Sequence, residues 1–255
     1  MKQRKHSGIL LVILIAILAL RLVTLQPEWI RDGLDTDAEQ TVAAFCETHD
    51  LSPADYPGEL VELLERNPET EEFVLHYPLE KDRAVAVDLS GYGTEEVPLF
   101  LQWDRQWGYM EYGGKCAALT ACGPVSLSMA AYYLTGDEAF SPDKMIEFAA
   151  RNGYYASGSG SKWTLISEGA EELGFEAEEL PLVKSRILRN LEEGWPVICA
   201  MGPGDFTSSG HFIVLTGVED GLLRVNDPNS IANSEKLWSF EDIEDQFRNL
   251  WVIKP

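Results

Sequence analysis

Ala121-Cys122-Gly123-Pro124-Val125-Ser126-Leu127-Ser128-Met129-Ala130-Ala131-Tyr132-Tyr133-Leu134 is the stretch on which the fold turns. Pro124 suits the first turn of a helix, where its missing N–H costs nothing, and Thr135-Gly136 supplies a stop. Leu127, Ala131 and Leu134 form an apolar stripe at helical spacing. The pattern predicts a helix over 124–134 with Cys122 just before its N-terminus. Unpaired backbone N–H groups and the positive end of the helix dipole favour a thiolate there. Gly123 lets backbone and substrate approach closely. A buried cysteine, or one bonded to Cys116, fits the same residues.

Working outward, Val97-Pro-Leu-Phe-Leu101 reads as strand or extended chain, and helices are expected at about 142–151, 163–173 and 185–193. The last part is strand-rich: 196–201, 212–217 and 222–225, with Asp220-Gly221 as a hairpin turn between the last two. Helices first and an antiparallel sheet afterwards is the α+β pattern. Upstream, 35–80 reads as helical, with Pro53 just inside a helix start and Leu60, Leu63 and Leu64 on one face. Turn-rich Leu89–Glu96 marks a boundary, and six of the seven tryptophans follow it.

A thiolate needs a base. Four histidines are present, and His211 alone lies beyond residue 76. It opens a strand after the glycine-rich loop 202–210, a place from which a side chain can line a cleft. A cysteine and a histidine together can form a thiolate–imidazolium pair. The base in turn needs a group to orient its other ring nitrogen. Asn226-Asp227-Pro228 ends the hairpin that His211 opens, so Asp227 and Asn226 both reach the same end of the paired strands. One residue of register separates the two, and Asp-Pro is also a common turn former. An oxyanion donor is expected from Gln102, on the segment leading toward Cys122, or from Gln106 on spacing alone. Trp103, Trp107 and the loops 158–160 and 202–210 either border a cleft or pack in the interior. His49 and His76 stand alone in the sequence and read as solvent-facing or packing residues.

The 255 residues carry a formal net charge of -22, from 42 acidic and 20 basic side chains. Such a surface repels nucleic acid and anionic head groups, which argues against a nucleic-acid partner. Lys2, Arg4 and Lys5 precede an apolar run from Ile9 to Leu20, broken by Arg21 and resumed to Leu25. The core 8–25 is long enough to span a bilayer if Arg21 reaches the interface, and the basic flank predicts a cytoplasmic N-terminus. A cleaved signal peptide is the alternative, although no small-x-small cleavage site follows. Either way the remainder is expected outside the cytoplasm, in the membrane-anchored or the secreted form. The chain therefore divides into a basic N-terminus 1–7, an anchor 8–25, a helical stalk or linker 26–96 and a domain 97–255. Cys46, Cys116, Cys122 and Cys199 are too few for a disulfide scaffold and show no zinc-ligand spacing.

Gln102, the Cys122-Gly-Pro helix, Gly210-His211-Phe-Ile-Val-Leu-Thr-Gly217 and Asn226-Asp227-Pro228, in that order, resemble cysteine peptidase family 39 and its stand-alone relatives. The resemblance covers about 97–255, and 56–78 also looks like sequence that precedes such domains in secreted bacterial proteins. It implies a papain-like fold with Cys122 as nucleophile, His211 as base, Asp227 as orienter and Gln102 as oxyanion donor. It implies a peptide or peptide-like substrate and neither metal nor organic cofactor. Members that process bacteriocin leaders are usually fused to an ATPase, and no GxxxxGK[ST] loop occurs here, so export-coupled processing does not carry over. A cell-wall endopeptidase of NlpC-like type and a non-catalytic papain-like peptide-binding module share the layout.

Overall fold

The computed structural model describes residues 36–83, 85–158 and 160–255, which fall into two compact units, Met1–Pro53 and Ala54–Pro255. The expected basic N-terminus 1–7 and anchor 8–25 lie outside the described residues. Among the described residues no helix is long and apolar enough to cross a membrane. Of the first unit, helix α1 (Asp37–His49) is described. Thr36 caps it by accepting from the Glu39 N–H while the Glu39 carboxylate accepts from the Thr36 N–H, a reciprocal capping box. Ala38, Val42 and Cys46, four residues apart, make its buried face.

The second unit opens with an arm of two helices, α2 (Gly58–Arg66) and α3 (Glu71–Glu80), joined by the turn Asn67–Thr70. Leu60, Leu63 and Leu64 are buried, as their spacing predicts. The expected stalk 26–96 is thus, from Ala54 on, part of the same compact unit as the residues after it. Bidentate Arg105–Glu80 bonds of 2.7 and 2.5 Å, Phe73 stacked on Tyr109 and a Lys115–Glu59 pair tie the arm to the segment that leads to Cys122. That segment contains the small hairpin β1 (Glu111–Tyr112) and β2 (Lys115–Cys116). One helical turn, α4 (Ala117–Thr120), runs into α5 (Cys122–Thr135), and α6 (Pro142–Arg151) follows. Helix α5 begins two residues earlier than Pro124 suggests, so Cys122 is its first residue rather than its neighbour. Gly136, at φ 65°, ends it.

A second small hairpin, β3 (Tyr155–Ala156) and β4 (Gly160–Ser161), precedes a 3-10 turn at Trp163–Leu165 and the short helix α7 (Glu168–Glu172). The single helix expected over 163–173 is broken at Ser167. The main sheet comprises β5 (Glu176–Glu179), then, after helix α8 (Lys184–Glu192), β6 (Val197–Met201), β7 (His211–Glu219) and β8 (Leu222–Asn226). Short helices α9 (Ile231–Glu235) and α10 (Phe240–Ile243) lead to its last strand, β9 (Phe247–Lys254). The order is β5-β9-β6-β7-β8, with every neighbouring pair antiparallel.

Strand β6 explains the layering. Every residue of Val197-Ile-Cys-Ala-Met201 is buried, and successive side chains go to opposite faces. Ile198 and Ala200 pack with α5, Phe212, Val214 and Trp251. Val197, Cys199 and Met201 pack with Ile187 and Leu191 of α8 and with Phe240 and Ile243 of α10. A sheet covered on both faces reads as a continuous apolar run rather than as alternation. Helix α5 lies so deep that Gly123 through Tyr132 are all buried. Leu127→Ala therefore removes a fully buried side chain whose surroundings relax only in part. It should lower unfolding free energy by about 2–5 kcal/mol, read as a reduced urea midpoint at unchanged slope.

Candidate active site

His211 is the first residue of β7, and Asp227 follows the last residue of β8. Asp220 at φ 51° and Gly221 at φ 81° make the tight turn between the strands, a conformation that Asp-Gly tolerates. The ladder starts Glu219 opposite Leu222 and reaches Gly217 opposite Arg224. It then resumes with Leu215 opposite Val225, leaving Thr216 as an extra residue in a bulge. Val214 consequently faces Asn226. By alternation, Asp227 shares the face of His211 and Asn226 takes the other.

Without the bulge the two would exchange faces. The contacts agree with this parity. His211 Nε2 lies 2.7 Å from Asp227 Oδ1. The Asn226 amide donates instead to the carbonyls of Val97 and Pro98, at 2.9 and 3.0 Å, and holds that extended segment to the sheet. Of the two candidate orienters, Asp227 meets the imidazole.

The Asp227 carboxylate is 1% exposed and fully engaged. Besides His211, Oδ1 accepts from the Asn229 N–H at 2.8 Å, and Oδ2 accepts from Asn233 Nδ2 at 2.8 Å. The Asp227 N–H donates to Ser234 Oγ at 2.9 Å. Asn233 and Ser234 escaped the sequence reading. The signal available was Ser230, which caps α9 by accepting from the Asn233 N–H and so fixes where both residues point.

Nε2 of His211 is committed to Asp227, which leaves Nδ1 for a second partner. Cys122 lies near enough to the imidazole to act on its charge. Burial acts to lower the histidine's pKa, but the Asp227 charge and hydrogen bond, and then Cys122, outweigh it, and the net effect raises it to about 10. The imidazole is therefore held protonated through neutral pH. The other cysteines differ. Cys116 donates its S–H to the Gly108 carbonyl at 2.8 Å, and burial pushes its thiol up to about 12. Cys199 is deep in the sheet and likewise raised by burial. Cys116 and Cys122 are both free thiols and are not bonded to one another in this structure.

Gln102 is 5% exposed, and its Nε2 donates to the Ala118 carbonyl at 2.6 Å. Ala118 belongs to α4, the turn that runs into α5. The amide group thus lies against the turn that runs into α5, with one Nε2 hydrogen left over. Its backbone N–H donates to the Pro228 carbonyl at 2.7 Å, tying it to the loop that carries Asp227. Gln106 goes elsewhere, its side-chain oxygen accepting from the Asp88 N–H at 2.7 Å. Spacing left both glutamines open; of the two, Gln102 is the one bonded to the loop beside Asp227.

The strand β4 passes so near Gly123 that a Cβ there would lie 2.7 Å from Ser161. Ser161 Oγ in turn bonds the hydroxyl of buried Tyr112 at 2.9 Å. Burial pushes that hydroxyl up to about 12, so it stays neutral. Trp107 is interior and donates to the Leu101 carbonyl, while half-buried Trp103 donates to the Asn229 carbonyl beside Asp227. The loop 202–210 is pinned by buried Gln246, whose amide bonds both Asp205 Oδ2 and the Asp205 N–H.

The frame is α+β, with Cys122 at a helix N-terminus and a His211–Asp227 pair at one end of two adjacent antiparallel strands. The chain belongs to the peptidase C39-like family, whose model matches residues 94–253. No curated protein matches it. Similar solved structures include the peptidase domain of Streptococcus ComA, a bifunctional ABC transporter of a quorum-sensing pathway. It is 21% identical with a TM-score of 0.40, over 52% of this chain and 90% of that one. A double-glycine-motif protease from an AMS/PCAT transporter, solved with a leader peptide, is 24% identical with a TM-score of 0.43, over 64% and 95%. A C39-like peptidase from Bacillus anthracis is 16% identical with a TM-score of 0.42, over 64% and 96%.

The raised pKa of His211 sets a direction for stability against pH. A histidine that binds its proton more tightly when folded contributes stability that is complete below its unfolded value, about 6.5. That contribution fades as pH rises through about 10. NMR of the imidazole should find His211 protonated at neutral pH and titrating near 10, whereas Asp227→Asn should lower the midpoint. A neutral ring at pH 7 in the unmodified protein contradicts this electrostatic account.

Proposed function

We propose that this protein is a cysteine peptidase in which Cys122 is the nucleophile, His211 the proton carrier, Asp227 its orienting group and Gln102 an oxyanion donor. The observation that carries the reading is the 2.7 Å bond between His211 Nε2 and a buried carboxylate oxygen, with Cys122 near enough to act on the ring, in a member of a peptidase-like family. The papain-like layout named from the sequence accords with a cysteine-bearing helix set against the strands that carry His211 and Asp227.

The steps follow from these positions. In the resting pair the thiol proton already sits on His211, as an imidazolium beside a thiolate, and the Cys122 thiolate attacks the carbonyl carbon of a peptide bond. The developing oxyanion is met by the Cys122 N–H and the remaining Nε2 hydrogen of Gln102. The imidazolium passes its proton to the leaving amine, and the C–N bond breaks to leave a thioester on Cys122. Water then attacks the thioester, giving its proton to the now neutral ring, and the acid product leaves as the thiolate reforms. A histidine held protonated at neutral pH acts first as acid and afterwards as base, which refines its expected role as base.

The basic flank and apolar run 8–25 support a membrane-anchored or secreted form acting on a peptide outside the cytoplasm. Carbonate extraction of membranes, with protease accessibility of the Ala54–Pro255 unit, tests the anchored form; recovery in the soluble cytoplasmic fraction argues against both forms.

Mass-spectrometric screening of a peptide library should detect cleavage that Cys122→Ala abolishes. His211→Ala should lower turnover by roughly a hundredfold or more, and Gln102→Ala by on the order of a hundredfold. Iodoacetamide should alkylate Cys122 ahead of the other cysteines, and His211→Ala should slow it. A Cys122 no more reactive than in His211→Ala sinks the proposal.

A further inference from the structure

The loop 228–235 holds Asp227 and is itself held from outside the family-matching region 94–253. The turn between α2 and α3 reaches it through two side chains. Both carboxylate oxygens of Glu69 are used, one accepting from the Ile231 N–H at 2.8 Å and the other from the Ala232 N–H at 2.9 Å. Asn67 Nδ2 donates to the Asn229 carbonyl at 2.6 Å, the acceptor that Trp103 also uses. The turn is itself braced, since Asn67 Oδ1 accepts from the Glu69 N–H and Thr70 Oγ1 donates to the Asn67 carbonyl. Glu69 and Asn67 are both half-buried, so their geometry is not that of free surface side chains.

The held residues are those that fix Asp227. Asn229 and Asn233 supply two of the hydrogen bonds to its carboxylate, and Ser234 takes its N–H. Ile231 and Ala232 lie between them in the chain. Pro228, next to Asp227, accepts from the N–H of Gln102. A displacement of this loop thus moves the acid and the oxyanion donor together. On the other side of the arm, Glu80 and Phe73 grip the segment that leads to Cys122. The arm bridges both halves of the site.

We propose that Glu69 and Asn67 are positioning residues for the Cys122–His211–Asp227 site, clamping the 228–235 loop so that the Asp227 carboxylate stays in line with the imidazole. This rests on the peptidase reading of those three residues. It assigns the helical arm a part in the chemistry although the arm lies outside the family match.

The test uses iodoacetamide on the full chain, with the alkylated peptide identified by mass spectrometry and rates taken at about pH 6 and about pH 9. A free thiol is almost wholly protonated at the lower value, so reaction there depends on proton transfer to a well-oriented His211. Glu69→Ala and Asn67→Ala should lower the pH 6 rate at Cys122 by roughly tenfold to a hundredfold, the size of effect that small misplacements produce. They should leave the pH 9 rate nearly unchanged. Glu69→Gln, which keeps one acceptor oxygen, should fall between Glu69→Ala and the unmodified protein. Glu62→Ala, which breaks only an exposed pair with Arg66 on the same arm, should change neither rate. A merely structural loss would depress folding without altering the pH 6 to pH 9 ratio, and that result overturns the proposal. So does an unchanged ratio in folded Glu69→Ala, Glu69→Gln and Asn67→Ala alike. If the unmodified protein itself matches His211→Ala at pH 6, the peptidase reading fails first, which keeps the two failures distinct.

Discussion

The register of the β7–β8 hairpin is the constraint on which the site depends. Asp220-Gly221 starts the ladder, and strict alternation from that turn would place Asn226 on the face of His211. The extra residue Thr216 reverses the parity, so the carboxylate meets the ring and the amide anchors the 97–98 segment. One inserted residue decides whether the imidazole faces a charge or a neutral amide. The difference is chemical as well as geometric. A carboxylate stabilises the protonated ring in a buried setting where a neutral amide offers only hydrogen-bonding capacity.

That buried charge pair places a demand on its surroundings. A carboxylate with 1% exposure is costly unless its lone pairs are satisfied. Here the backbone of Asn229 and the amide of Asn233 complete the set that His211 begins. The short helix α9 therefore has a purpose beyond connecting β8 to β9, because it delivers Asn233 and Ser234 to the acid. The arm's contact with its first amides continues the same chain of support outward from the ring. Stability and reactivity share these groups.

Much of this was legible from residue types. The Cys122 helix, the Asp220-Gly221 hairpin and apolar 196–201 are local signals, set by capping, turn chemistry and burial. Cys122, His211, Asp227 and Gln102 were readable as candidates because each chemical role had few residues to fill it. What sequence left open was register and partner choice. Asn226 and Asp227 differ by one position, and no local propensity reports a bulge. Gln102 and Gln106 differ by one helical turn, and only the carbonyls of the folded chain separate them. The strands β5 and β9 went unread for opposite reasons. Glu176-Ala-Glu-Glu179 is an edge strand whose charges guard against further pairing. Phe247–Lys254 is covered on both faces, so Leu250, Trp251, Val252 and Ile253 form a run without alternation.

The helical arm shows why a boundary drawn from composition can divide a working unit. Leu89–Glu96 is turn-rich, and the family match begins beside it, at residue 94. Yet the bonds that cross that boundary are directional, and all but the exposed Glu69–Ala232 bond are half-buried: Asn67 to Asn229, Glu69 to Ile231 and Ala232, Arg105 to Glu80, Tyr109 to Phe73. Such contacts join residues more than a hundred positions apart in the acid half of the site, and about thirty apart in the cysteine half. Composition reports how a segment meets solvent, whereas the position of a carboxylate depends on which distant backbone groups it satisfies. Residues before the boundary are therefore part of what holds Asp227 against His211, and the unit that folds is larger than the family match.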